Sequence, residues 1–130
     1  MKDKNLYIKE WLIFADEDYS TAEDLLKNDN IYARSICFHC QQAAEKYLKA
    51  LIIKIDLPII KTHNLAVLVG QIKEVDNSIA EIEKLAVGLS EYAVTVRYPD
   101  DFERIFEDEA IRAFENVTTI KKFIELKLKD

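Results

Sequence analysis

Cys37-Phe38-His39-Cys40 is the first stretch whose residue types and spacing suit chemistry, either metal binding or thiol–disulfide exchange. A tetrahedral zinc site takes four ligands. Beyond this run the sequence offers one further histidine, His63, and no further cysteine. A redox Cys-x-x-Cys gains its low thiol pKa at a helix N-terminus, whereas this pair falls about two turns into a helical stretch. On a helical wheel both cysteines lie on the apolar side, and His39 projects roughly 100–160° away from them. Cys37 and Cys40 therefore read as core cysteines, and neither a metal nor any other cofactor is expected.

Other candidates are few. The sequence shows no nucleophile–base triad, and neither of its two glycines belongs to a phosphate-cradling loop. Asp100-Asp101 is an adjacent acidic pair suited to a solvated turn, and His63 reads as a surface or capping histidine. Arg97 is more informative. Pro99 disfavours helix at Tyr98, so Arg97 ends a helix, with Tyr92 a little over a turn before it and Tyr98 after it. A planar guanidinium fork binds phosphate in bidentate fashion, which makes Arg97, Tyr98 and Tyr92 the expected nucleotide- or phosphate-binding residues. The alternative for Arg97 is an ion pair with Asp100, Asp101 or Glu103.

These residues must be positioned by helices. Two glycines and two prolines in 130 residues leave little material for tight turns or sheet corners, which implies a few long helices in one domain, 1–130. Apolar residues make up 49% and charged residues 32%, an ordinary balance for a folded globular chain. The net charge of −6 works against broad, non-specific nucleic-acid binding while leaving room for a local basic groove. No apolar run reaches the ~18 residues that span a bilayer, and MKDKNLYIKE lacks a signal-peptide core, so the cytoplasm is the expected compartment and no membrane partner is expected.

The organising helix is Ile31 to Ile55. Ile36, Cys40, Ala43, Ala44, Tyr47 and Leu51 share one side, while Arg34, Gln41, Glu45 and Lys49 fall on the other. Ile31, Phe38, Leu48 and Ile52 interrupt that polar side, so this helix is expected to touch neighbours on two sides. A first helix is predicted from about Asn5 to Lys27, with Asp18 at the edge of its apolar stripe as a carboxylate bonded to a neighbouring side chain. Asn28-Asp29-Asn30 supplies a hairpin turn with an N-cap for the second helix. A third helix is predicted from about Asn64 to Lys73. A fourth, capped by Asp76, Asn77 or Ser78, carries Ile79 through Val96, and a fifth runs from Glu107 to Leu128.

The run Cys37 to Leu51, with its QQAAEKYLKAL, closely resembles the central helix of HEPN domains (higher eukaryotes and prokaryotes nucleotide-binding). Ala15-Asp16-Glu17-Asp18-Tyr19 with Ala22 resembles the family's first-helix pattern. His63-Asn64-Leu65 is similar to its His-x-Leu start of helix three, and Arg97-Tyr98-Pro99 to its Arg-Tyr-Pro signature. The resemblance spans about residues 7 to 125. It implies an all-α, four- to five-helix up-and-down bundle, similar to the C-terminal helical domain of kanamycin nucleotidyltransferase. It also implies a homodimer, and a minimal nucleotidyltransferase as partner in a toxin–antitoxin-like pair. Phe38, Gln41, Glu45 and Ile52 are the expected dimer or partner interface.

Active members of that family are metal-independent endoribonucleases with an Arg-x(4–6)-His motif. Here the positions that follow Arg97 at that spacing are Phe102, Glu103 and Arg104, and both histidines lie upstream. Without the His, attack by a 2′-hydroxyl lacks its expected acid or base. The leading expectation is a non-catalytic bundle that binds a nucleotide or RNA near Arg97. The alternatives are an endoribonuclease in which Glu103 or Arg104 replaces the His, and a pure protein-interaction module.

Overall fold

The computed structural model describes residues 3–29, 31–93 and 104–129. All regular structure among them is helical: α1 (Lys4–Leu26), α2 (Ala33–Lys54), α3 (Leu65–Lys73), α4 (Glu83–Leu89) and α5 (Glu107–Leu128), with 3-10 turns at Asn77–Ile82 and Ser90–Ala93. No helix among the described residues is long and apolar enough to cross a membrane.

The two long helices α1 and α2 form an antiparallel hairpin. Lys4 near the start of α1 lies 2.9 Å from Asp56 beyond the end of α2, and Ile8 clusters with Ala50 and Ile53. Further along, Asp16 accepts from the Tyr47 hydroxyl, and Asp18 meets His39 near the start of α2. Ala15 and Ala22 of α1 share a fully buried cluster with Ala43 and Ala44 of α2, small side chains that let two helix axes run close. α5 runs parallel to α2. Glu109 in its first turn acts on Cys37, and Lys121, further along, lies 5.9 Å from the Tyr47 ring centroid.

α2 is the centre of the bundle, in contact with α1, α3, α4 and α5. Of its 22 residues 14 are buried, too many for a single apolar stripe, so the two-sided packing expected from Leu48 and Ile52 is present. Both of those side chains are fully buried. The helix ends in a Schellman arrangement: the Asp56 N–H bonds the Ile53 carbonyl and the Leu57 N–H bonds the Ile52 carbonyl, at 3.1 and 3.0 Å. Asp56 takes the left-handed position that glycine usually fills, with φ 62°.

Two expectations change. The Asn28–Asn30 stretch does not cap α2; its N-cap is Tyr32, which makes no side-chain capping bond. The fourth helix does not run unbroken from its cap. Asp76 does cap it, accepting from Ser78 N and Ser78 Oγ at 3.0 and 2.7 Å, but the chain then enters the 3-10 turn. Its three-residue period places Ile79 and Ile82 in one line, both only 1% exposed. The α-helical part is then short, and residues 94–96 lie outside the described residues.

Candidate functional site

Of the expected phosphate-binding residues, Arg97 and Tyr98 lie outside the described residues. Tyr92, in the Ser90–Ala93 turn, donates its hydroxyl to the carboxylate of Glu109 and so ties the end of the fourth helical region to the first turn of α5. Burial first, and then that bond to Glu109, push the Tyr92 phenol well above its ordinary range. Cys37 stands beside this pair. Burial, reinforced by the charge of Glu109, pushes its thiol up to about 12, and burial also raises the fully enclosed Cys40. Both shifts oppose thiolate formation, the reverse of what a redox pair needs. Among the described residues no three His, Cys, Asp or Glu side chains converge as metal ligands would.

The same end of the bundle carries a groove of about 560 Å³, lined by Ile31 to Ser35 at the start of α2 and by Arg104 and Ile105 on the approach to α5. It brings the guanidinium-bearing residues Arg34 and Arg104 to one surface, and Ser35 adds an exposed hydroxyl-bearing residue. Two aromatic residues flank them. Tyr32 is 57% exposed, and Phe106, whose ring centroid lies 5.3 Å from the Arg104 guanidinium carbon, is 58% exposed. Arginines beside the N-terminus of a long helix form an environment for a phosphate oxygen, since the fork, the first-turn N–H groups and the helix dipole all favour an anion there. Sequence reading placed Arg34 on the polar side of α2 and Arg104 as a stand-in for a missing histidine. Their meeting depends on how α5 lies along α2, which no local pattern encodes.

The four residues expected at an interface are placed unequally. Gln41 and Ile52 are fully buried and Glu45 is 4% exposed, all within this chain's own bundle. Phe38 is half-buried, the one of the four with surface to offer. Gln41 and Glu45 instead form a network that joins α2 to the connection before α3. Lys49 Nζ and His63 Nδ1 lie 2.8 Å from the two oxygens of Glu45. Gln41 Nε2 donates to the His63 carbonyl at 3.1 Å, and Gln42 Nε2 donates to Gln41 Oε1 at 2.7 Å. His63 is a surface histidine as expected, its side chain 70% exposed, with one nitrogen committed to Glu45. Asp18 also has the neighbours expected of it: His39 Nδ1 at 2.9 Å and the ammonium of Lys46.

Burial raises the Glu45 carboxyl, but the hydrogen bonds from Lys49 and His63 outweigh it and hold the group below its ordinary range. Asp76 is lowered from its ordinary 3.8 to about 2, by its bonds from Ser78 and Lys127. Both folded-state pKa values lie below the unfolded ones, so the stability they contribute is complete above the unfolded pKa and is lost as pH falls through the folded one. Unfolding free energy measured in urea is therefore expected to fall steadily from about pH 4 to about pH 2. Asp76→Asn should flatten that dependence; an unchanged slope in the variant would remove Asp76 as a cause.

The HEPN domain family model matches residues 8–127. TT1696 from Thermus thermophilus is similar in structure, with a TM-score of 0.78 and 27% identity over 92% of this chain and 97% of that one. The archaeal HEPN homologue ST0689 shares the fold with a TM-score of 0.76 and 20% identity, over 98% of this chain and 99% of that one. No curated protein matches the sequence. With the family model matched over almost the whole bundle, the chain belongs to the HEPN domain family.

Proposed function

We propose that this HEPN protein binds a nucleotide or RNA through phosphate without cleaving it, and acts together with a second copy of itself and a minimal nucleotidyltransferase in a toxin–antitoxin-like pair. The observation that carries the binding reading is the groove where Arg34 and Arg104 meet beside the uncapped start of α2. The non-catalytic part is supported by the sequence, which has no histidine after Arg97 to act as acid or base. Self-association is supported by Leu6, Ile13 and Phe14, which lie along one face of α1 and are each more than half exposed.

The test is a set of measurements on the purified chain. A nucleotide or short RNA at millimolar concentration should raise the melting temperature, because a ligand held only by the folded state stabilises it. The rise should be lost in an Arg34→Gln, Arg104→Gln variant. Metal-free cleavage of RNA that disappears in Arg97→Ala would replace this reading by the endoribonuclease one. A monomeric mass by light scattering would remove the second copy, and failure to co-purify with a nucleotidyltransferase encoded beside it would remove that partner.

A further inference from the structure

We infer that residues 58–63, between α2 and α3, form a strap that lifts locally while the bundle stays folded, with His63 as its catch. Lifting it opens the buried polar stripe of α2 to water and solutes.

The surface under the strap differs from the rest of the bundle. Gln41, Glu45 and Lys49 are the buried polar or charged residues among the described ones, and their spacing of four sets them in one line along α2. The strap meets this line at His63. Gln41 Nε2 donates to the His63 carbonyl, and the Glu45 carboxylate bonds His63 Nδ1. Elsewhere α2 buries apolar side chains, and exposing those costs free energy in proportion to their area. Here opening hydrates an amide and a carboxylate, and water replaces the bonds that break. The strap adds little apolar anchorage of its own: Ile59 is partly buried against the core, while Pro58, Ile60, Lys61 and His63 are exposed.

Its attachments point the same way. Among the described residues, 58–63 make no backbone–backbone bond to another element, and the Thr62 N–H turns back to the Ile60 carbonyl. Side chains of the bundle grip the strap instead. Gln71 Nε2 donates to the Pro58 carbonyl at 2.7 Å, and Gln41 and Glu45 hold His63. Two of these three bonds meet at one residue, which makes His63 the catch. Both ends are pinned independently of it. The Leu57 N–H is bonded to the Ile52 carbonyl in the turn that closes α2, and Asn64 caps α3 by accepting from the Ala66 N–H. The segment between them has the marks of a low-stability unit: few buried apolar contacts and a largely exposed backbone.

The test is limited trypsin digestion of the purified chain, with the rate of cutting between Lys61 and Thr62 read by mass spectrometry. Lys61 is exposed, and cutting within a held segment tracks the population of its open form. His63→Ala should speed this cut roughly tenfold, the effect of losing a hydrogen bond to a charged group. His63→Gln, which keeps a donor for Glu45, should speed it less. Asp76→Asn loosens the contact of Asp76 with Lys127, away from the strap, and should leave the rate unchanged. In the unaltered chain the rate should rise with urea far less steeply than global unfolding does, because lifting exposes little surface. A cut that His63→Ala does not accelerate would overturn the inference. So would one that Asp76→Asn accelerates, or one as sensitive to urea as global unfolding.

Discussion

Glu45→Ala is expected to lower the unfolding free energy by about 3–5 kcal/mol, the cost of leaving a buried charge without its partner. The charge in question is Lys49, whose side chain is only 7% exposed and whose ammonium sits 2.8 Å from a Glu45 oxygen. The Trp11 ring, with its centroid 5.4 Å from the same ammonium, stays in place but cannot replace a carboxylate. His63 loses less, because its side chain is 70% exposed and water takes over the vacated nitrogen. Gln41 keeps its bond to the His63 carbonyl. Orphaning Lys49 is therefore the dominant effect, and this yields a sharper comparison. Glu45→Leu combined with Lys49→Met removes both charges and fills the same space with apolar atoms, so it should cost far less than Glu45→Ala, or even stabilise. Urea denaturation of the two variants decides it. A double variant as unstable as the single one would mean that the charge pair itself contributes the stability.

Tyr47→Ala should be comparably severe, about 3–5 kcal/mol, for a different reason. Tyr47 heads the fully buried side chains by volume, with 0% exposure. It stands where three helices meet: its ring is on α2, its hydroxyl donates to Asp16 on α1, and Lys121 of α5 lies over the ring. Burial, then the bond to Asp16, holds the phenol far above its ordinary pKa, so the ring remains a neutral donor throughout the usable pH range. Truncation leaves a cavity bounded by all three helices. Tyr47→Phe isolates the hydrogen bond. The Asp16 side chain is 55% exposed and can turn to water, so this change should cost only about 0.5–1.5 kcal/mol. A Phe variant as unstable as the Ala variant would shift the weight from packing to the bond.

The central helix shows how far the residues alone carry the fold. Leu48 and Ile52, set among glutamines and lysines, already require a second apolar neighbour, and α2 contacts α1, α3, α4 and α5. The bounds of α5 follow from its stripe of Ala110, Val117, Ile120 and Ile124, because burial at a 3.6-residue period is a property of spacing. The 3-10 turn at Asn77–Ile82 is harder to read. Ile79 and Ile82 fit either a three- or a four-residue rhythm, and the choice falls to the surfaces they must reach.

The residues of this chain by themselves determined a helical bundle built around α2, with its cysteines in the core, a carboxylate at Asp18 that needs a partner, and a family signature in the polar run from Gln41 to Lys49. Each of these depends on what lies within a few turns along one helix. Only the tertiary structure decided that Gln41, Glu45 and Ile52 face inward, that His63 closes a network with Glu45, and that Arg34 and Arg104 line a single groove. Those arrangements join side chains far apart in the sequence. Their convergence is set by the direction and offset at which whole helices pack, which depends on the sum of many buried contacts.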